Sequence, residues 1–418
     1  MMRLKLILIF LTGAVIFSCR SFYKLSNQNL AENYDYRQTV LHPRFEIFHE
    51  DDTLSALYVE IPKSELLYKK NDSGFVNASV KITCSLFLTY ESKTAFDTIS
   101  KTWMDSDPLN ESYLILNLGI KTAAKQFIVR ADVKDLNRNQ GVTELVRADK
   151  RNRQSAQWFM MIPPSVRIPM FRNYASGEEA FSIYSSAGKF KPVYVRCYFR
   201  EFPVAAPPFA EKIQVQFNYA ADSIYRTEIG ASSVTYLPKR GMYHFQFDTT
   251  SKAGFTVFRQ EEDFPKVTDA VQLIECLRYI TTNEEYNKLK EAKNKKEAID
   301  AFWLELAGNQ DRARTLIRKY YTRIQEANRL FSSYLDGWKT DRGMIYTVMG
   351  PPTSVFRTSD SEEWTYGNFN NISSLTFSFE SIYNPFSDND YILRRSGYYE
   401  PVWYRMVDRW RQGAVVND

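Results

Sequence analysis

The sequence predicts a multidomain chain: two all-β, sandwich-like domains, then a helical segment and a small α+β C-terminal domain. Three observations predict it. Apolar and polar residues alternate at period two in runs between about residues 45 and 262, the mark of half-buried strands. The period changes to helical spacing at about residue 265. Finally, 418 residues with 44% hydrophobic and 15% aromatic content suggest two or three domains with ample apolar surface for their cores.

The chain opens on MMRLKLILIFLTGAVIFSCR. Arg3 and Lys5 form a short positive region. An apolar run over residues 6–17, broken only by Thr12 and Gly13, is shorter than the ~20 residues of a spanning helix. Ser18 is small and Cys19 follows at once. This is signal-peptide grammar, and it resembles the lipobox of bacterial lipoproteins. Residues 1–18 are therefore expected to be removed and Cys19 to be lipidated. Each buried CH₂ adds about 0.8 kcal/mol, so the several chains of a lipoprotein cysteine give stable anchoring in membrane lipid. Processing leaves 52 Lys+Arg against 49 Asp+Glu, a formal net charge of +3. That balance argues against nucleic acid as a partner. Residues 19–44 are polar without a clear period and read as a lipidated tether.

Residues 45–155 read as a β-sandwich. Leu57, Val59 and Ile61 alternate with polar positions, as do Leu114, Leu116 and Leu118, and Phe127, Val129, Ala131 and Val133. Residues 156–262 read as a second β domain, from Ile213, Val215 and Phe217, and from Tyr243, Phe245 and Phe247 alternating with His244, Gln246 and Asp248. Cys84, Cys197 and Cys276 fall in phase with apolar neighbours and read as small buried hydrophobes, with one bridge left open.

Residues 263–418 form the third part. Thr268 is the expected cap of a helix over residues 269–281. Residues 283–296 read as a charged, solvated helix. Asn309 caps a long one with the stripe Ala313, Leu316, Ile317, Tyr320, Ile324, Ala327 and Phe331. Strands are expected at residues 344–349, 363–366 and 374–379, and a short helix at residues 402–412.

The densest signal is YLDGWKTDRGMIYTVMGPP, residues 334–352. Gly337 is expected at a helix stop with φ > 0. Trp338 offers apolar surface beyond that stop, and Thr340 and Asp341 hold a turn. Gly343 releases the chain into a strand that Gly350-Pro351-Pro352 ends. Gly337-Trp338-Lys339-Thr340-Asp341 resembles the signature of the GWxTD-domain proteins, exported proteins common in Bacteroidota. The likeness extends to Phe302-Trp303, Tyr320 to Asn328 and Phe331 upstream. Downstream it takes in Arg342-Gly343, Ile345-Tyr346, Gly350, Pro352 and the strand with Trp364 and Tyr366. It covers the last third of the chain. The segment from Gly350-x-Pro352 through Trp364-x-Tyr366 to residues 375–379 also resembles SmpA/OmlA-type lipoproteins, which support outer-membrane protein assembly.

No chemistry stands out. Asp341 is the candidate catalytic carboxylate, against a turn role bonding backbone or Arg342. Glu362 and Glu363 read as a solvated loop. His42, His49 and His244 are the only histidines, which argues against a histidine base or metal site. Residues 135–141 begin like a calcium loop, but the glycine is one place late and Val146 stands where Glu is needed, so an inter-strand turn is expected. No catalytic, cofactor or metal residues are assigned. The expected function is a non-enzymatic, lipid-anchored scaffold, or an accessory subunit of an outer-membrane protein assembly or secretion machine. The domain around Gly337 to Gly343, Gly350, Pro352, Trp364 and Tyr366 would meet the protein partner. No acidic run follows Cys19, which favours the periplasmic side of the outer membrane. The rival reading is a carbohydrate- or peptidoglycan-binding module on exposed aromatics.

Overall fold

The computed structural model describes residues 24–70, 74–109, 111–188, 192–211, 217–367 and 374–417. Its first unit holds β1 (Arg44–His49), β2 (Leu54–Pro62), β3 (Lys69–Lys70), β4 (Val76–Phe87), β5 (Asp97–Asp105), β6 (Tyr113–Lys121), β7 (Gln126–Asp135) and β8 (Gln140–Asp149). They form two antiparallel sheets, β1-β2-β6 and β3-β4-β7-β8 with β5 on β4. The alternating residues of β2, β4, β6 and β7 close one core between the sheets, as the period predicted. Residues 135–141 make the β7–β8 turn. The buried Asp135 carboxylate accepts from the N–H groups of Leu67, Asn137 and Arg138 at 2.8, 2.9 and 3.1 Å.

The second unit holds β9 (Phe159–Ile162), β10 (Tyr174–Ser176), β11 (Phe181–Ser185), β12 (Val193–Tyr198), β13 (Ser223–Thr227), β14 (Val234–Thr235), β15 (Gly241–Gln246) and β16 (Phe255–Gln260). Sheets β10-β16-β15-β12-β13 and β14-β11-β9 enclose a core that includes Trp158, Val195 and Phe245. Ile213 and Val215 lie outside the described residues. Phe217 is not in a strand and packs near Tyr198 and Phe386. His244 and Gln246 do not face water as alternation suggested, because β15 is covered on both faces. Each has partners: His244 bonds Thr256 Oγ1 and the Lys252 carbonyl at 2.8 and 3.0 Å, and Gln246 donates to the Ser251 carbonyl at 2.7 Å. Cys84, Cys197 and Cys276 are free and buried.

The third part holds α1 (Ala270–Cys276), α2 (Asn283–Glu291), α3 (Lys295–Ala307), α4 (Gln310–Phe331), α5 (Asp341–Met349) and α6 (Glu400–Arg411). One antiparallel sheet runs β17 (Ser354–Arg357), β18 (Ser361–Tyr366), β19 (Leu375–Ser381), β20 (Tyr391–Leu393). Asp269, not Thr268, caps α1, and the helix stops at Cys276. The charged stretch splits into two helices, because Thr282 closes a capping box and Asn294 starts a second helix. Asn309 caps α4 as expected, and its stripe is buried except for half-buried Ile317.

Two expectations are corrected. Residues 344–349 form α5, not a strand. Thr340 caps that helix, and it is buried nearly all round, so no polar face betrays its period. Nor are residues 24–36 a free tether. Leu25, Leu30, Ala31 and Tyr34 are buried in the same core as α4 and β18. The Leu30 N–H donates to the Val355 carbonyl at 2.9 Å, and the Val355 N–H donates to Asn29 Oδ1 at 2.9 Å. Residues 24–36 thus lie across the third part as a strap.

Candidate functional site

The site grows from the end of α4. Its carbonyls at Leu330 and just beyond, at Ser332, both accept from Asn389 Nδ2 at 3.0 Å. A single 3₁₀ turn, Gly337–Lys339, then lies across the helix. A Cβ at Gly337 would sit 1.9 Å from the Ala327 carbonyl oxygen. This glycine is therefore required by close backbone approach, not by the positive φ expected of it. Trp338 is buried. Its N–H donates to Asn328 Oδ1 at 3.2 Å, and its carbonyl accepts from the Tyr279 hydroxyl at 2.8 Å. Thr340 accepts from the Gly343 N–H at 3.0 Å and donates to the Gly337 carbonyl at 2.8 Å. Gly343 packs directly on that turn, where a Cβ would lie 1.8 Å from the Gly337 oxygen.

The charged residues of the motif point into the protein. Asp341 accepts from the Leu393 N–H at 2.8 Å and from both terminal nitrogens of Arg395, at 3.0 and 2.5 Å. Its partner is Arg395, not the adjacent Arg342. Arg342 donates to Glu362 at 3.3 Å, to the Asn389 carbonyl at 3.0 Å and to Asn389 Oδ1; its guanidinium lies 3.9 Å from the Tyr391 ring centre. Glu362 is fully buried and not in a solvated loop. Four donors converge on it: Tyr34 Oη at 2.9 Å, Trp364 Nε1 at 2.7 Å, Arg357 Nε at 2.8 Å and Arg342. Burial alone would raise its pKa. Arg357, Arg342 and the Trp364 N–H outweigh that and hold the carboxyl at about 2. Glu363, one place along the strand, faces water.

The far end of α5 is closed by another cation. Arg323, inside α4, donates to the Thr347 and Val348 carbonyls at 3.2 and 3.1 Å, and Trp410 Nε1 donates to Val348 at 3.0 Å. Gly350 takes φ +89° and leaves room for Arg323, whose Nη2 would meet a Cβ at 2.7 Å. Pro352 is buried, and the Tyr366 hydroxyl donates to the Gly350 carbonyl at 2.8 Å. Tyr346 donates to Glu326 at 2.8 Å, and its oxygen lies 2.9 Å from the Tyr34 carbonyl.

All ten motif positions named from the sequence thus fall in one packed body. Cys19 lies outside the described residues. The sequence reading missed Tyr34, Arg323, Arg357, Asn389 and Arg395. Glu362 carried a usable signal, because it is two places from Trp364 on one strand and shares its face. The arrangement fixes a turn, a helix and a sheet to one another. Among the described residues, no group of three or more His, Cys, Asp and Glu is placed to hold a metal ion. No helix among them is long and apolar enough to cross a membrane.

A family model for the GWxTD domain matches residues 241–412. The match begins at β15, earlier than the last third that carried the likeness in sequence. No curated protein matches the chain. Among 21 matching chains of solved structures is a calcium-binding mutant of Bacteroides uniformis beta-glucuronidase 2. That likeness has 8% identity and a TM-score of 0.16, and covers 38% of this chain and 16% of that one. This chain therefore spans about a sixth of that enzyme, and so slight a likeness says nothing about function. The signature residues, folded as one buried unit, lie inside the matched span, so residues 241–412 are similar to the GWxTD domain.

Proposed function

We propose that the protein is a non-catalytic, lipid-anchored envelope scaffold, held through Cys19 on the periplasmic side of the outer membrane. It would serve there as an accessory subunit of a protein assembly or secretion machine. One observation carries the reading. Two of the motif's ionisable side chains, Asp341 and Arg342, are turned inward and engaged by Arg395, Leu393, Glu362 and Asn389. Groups saturated in this way build a rigid body and are not presented to a substrate. The Cys19 pattern and the absence of an acidic run after it support the address. The SmpA/OmlA likeness supports the choice of machine.

The test is affinity capture from native membranes in mild detergent. A stoichiometric membrane-protein partner is the expected result. Retention on isolated cell-wall material with no such partner overturns the scaffold in favour of a glycan-binding module. Protease treatment of intact cells should leave the protein whole; its loss would move it to the outer surface.

A further inference from the structure

The described chain starts at Lys24, five residues beyond Cys19. It starts already fastened. The Leu25 N–H donates to the Ser92 carbonyl at 3.1 Å, the Ser26 N–H donates to the Tyr90 carbonyl at 2.8 Å, and Lys24 pairs with Glu91 at 2.7 Å. All three contacts go to the hairpin between β4 and β5. Five residues reach at most about 18 Å when fully extended. Whatever holds Cys19 therefore also holds this hairpin within that distance.

The hairpin carries apolar side chains where the solvent should be. Leu88 is 57% exposed and Phe96 43% exposed, and Lys93 beside them is exposed too. The Phe96 N–H donates to the Leu86 carbonyl at 2.8 Å, so the tip is a closed, backbone-bonded loop. Apolar side chains with a long cation on a fixed loop suit the headgroup–acyl boundary, where the rings and branched chains enter and the ammonium stays in the polar layer. The linking residues, Arg20-Ser21-Phe22-Tyr23-Lys24, have the same mixed basic and aromatic composition.

We infer that the β4–β5 hairpin, with Leu88, Lys93 and Phe96, is a membrane-contact surface that seats on the lipid into which Cys19 is anchored. This rests on the lipidation of Cys19 in the proposed function. It goes further, because the body would stand on the bilayer by one defined face and would not swing on a tether.

The test uses the lipidated full-length protein in phosphatidylethanolamine/phosphatidylglycerol vesicles, with part of the lipid brominated. An environment-sensitive fluorophore is placed through Phe96→Cys in one sample and Met104→Cys in another. Cys84, Cys197 and Cys276 are buried and stay unlabelled. Met104 is 75% exposed and lies in β5, eight positions further along the chain and about 26 Å away at strand spacing. The expected result is a blue shift and loss of emission at position 96, with neither at 104. Mass spectrometry of the N-terminal peptide is run on the same samples. Acylated Cys19 with no quenching at 96, or equal quenching at both positions, overturns the inference and leaves the anchor standing. An unmodified Cys19 overturns the anchor and the inference with it. As a second measure, Leu88→Glu with Phe96→Glu should abolish the quenching of a label at Thr94→Cys while the melting temperature stays put.

Discussion

Gly343 carries a hydrogen where any other residue would place a carbon 1.8 Å from the Gly337 carbonyl oxygen. Gly337 makes the same demand against Ala327. In both cases the obstacle is backbone, so no rotamer relieves it. Gly337→Ala and Gly343→Ala should each cost more than about 3 kcal/mol, read as a shift in the urea unfolding midpoint. Gly308 is the control. A Cβ there meets nothing within 4 Å and only its φ of +75° resists, so Gly308→Ala should cost about 1–2 kcal/mol. Asp341→Asn keeps the shape and removes the charge that Arg395 faces. It should lower stability by about 2–3 kcal/mol, larger than a turn residue alone would give, and Arg395→Ala should add little to it in a double-mutant cycle. Fully additive losses would show that the two do not act as a pair. At this scale the sequence placed Asp341 in a turn and Gly337 at a helix stop, but the partners that define them lie about 50 positions ahead and 10 behind.

At the scale of elements, legibility followed periodicity. The strands of the first unit could be read because each has one buried face. Helix α5 could not, because Met344 to Val348 are buried on every side, and an apolar run of β-branched and aromatic residues reads equally well as a central strand. Thr340 followed by Asp341 was the available sign of a helix start. Strand β18 shows what alternation does offer: Glu362 and Trp364 share its inner face while Glu363 points out. The depressed pKa of Glu362 gives that face a pH signature. Its carboxyl ordinarily titrates at 4.5 and is held at about 2 in the fold, so the folded state binds the proton more weakly than the unfolded chain does. Its contribution is complete above about pH 4.5 and is lost as pH falls toward 2. The stability difference between the wild type and Glu362→Gln, measured by chemical unfolding, should be constant from pH 7 to 5 and shrink steadily below that. A difference that does not change down to pH 3 would show that Glu362 is not ionised in the fold.

The whole molecule is held together by polar and apolar seams. Tyr34 of the strap stacks on Phe331 and leans on Trp364, with ring centres 5.6 and 5.3 Å apart, while Arg357 reaches both Glu362 and Glu144 of β8. Tyr34→Ala should destabilise by about 3–5 kcal/mol. Tyr34→Phe keeps the ring and removes one of four donors to Glu362, so it should cost about 1–3 kcal/mol. Melting of the two variants gives the ratio, and a harmless Tyr34→Ala would return residues 24–36 to the role of tether. The strap was hidden from sequence reading because its short 3₁₀ turns have no sustained period, and its four buried apolar residues sit among polar ones.

The strap also sets an order of events. Tyr34 precedes Tyr346 and Glu362 by more than 300 positions, so it is synthesised long before either. Trp410, which closes the end of α5, emerges later still. The core they share is assembled from both ends of the chain, and contacts of such long sequence separation form slowly. Until residues near 364 arrive, Leu30 and Tyr34 remain apolar groups without a pocket. The interval between synthesis and closure is therefore when this protein is most open to aggregation or to a chaperone.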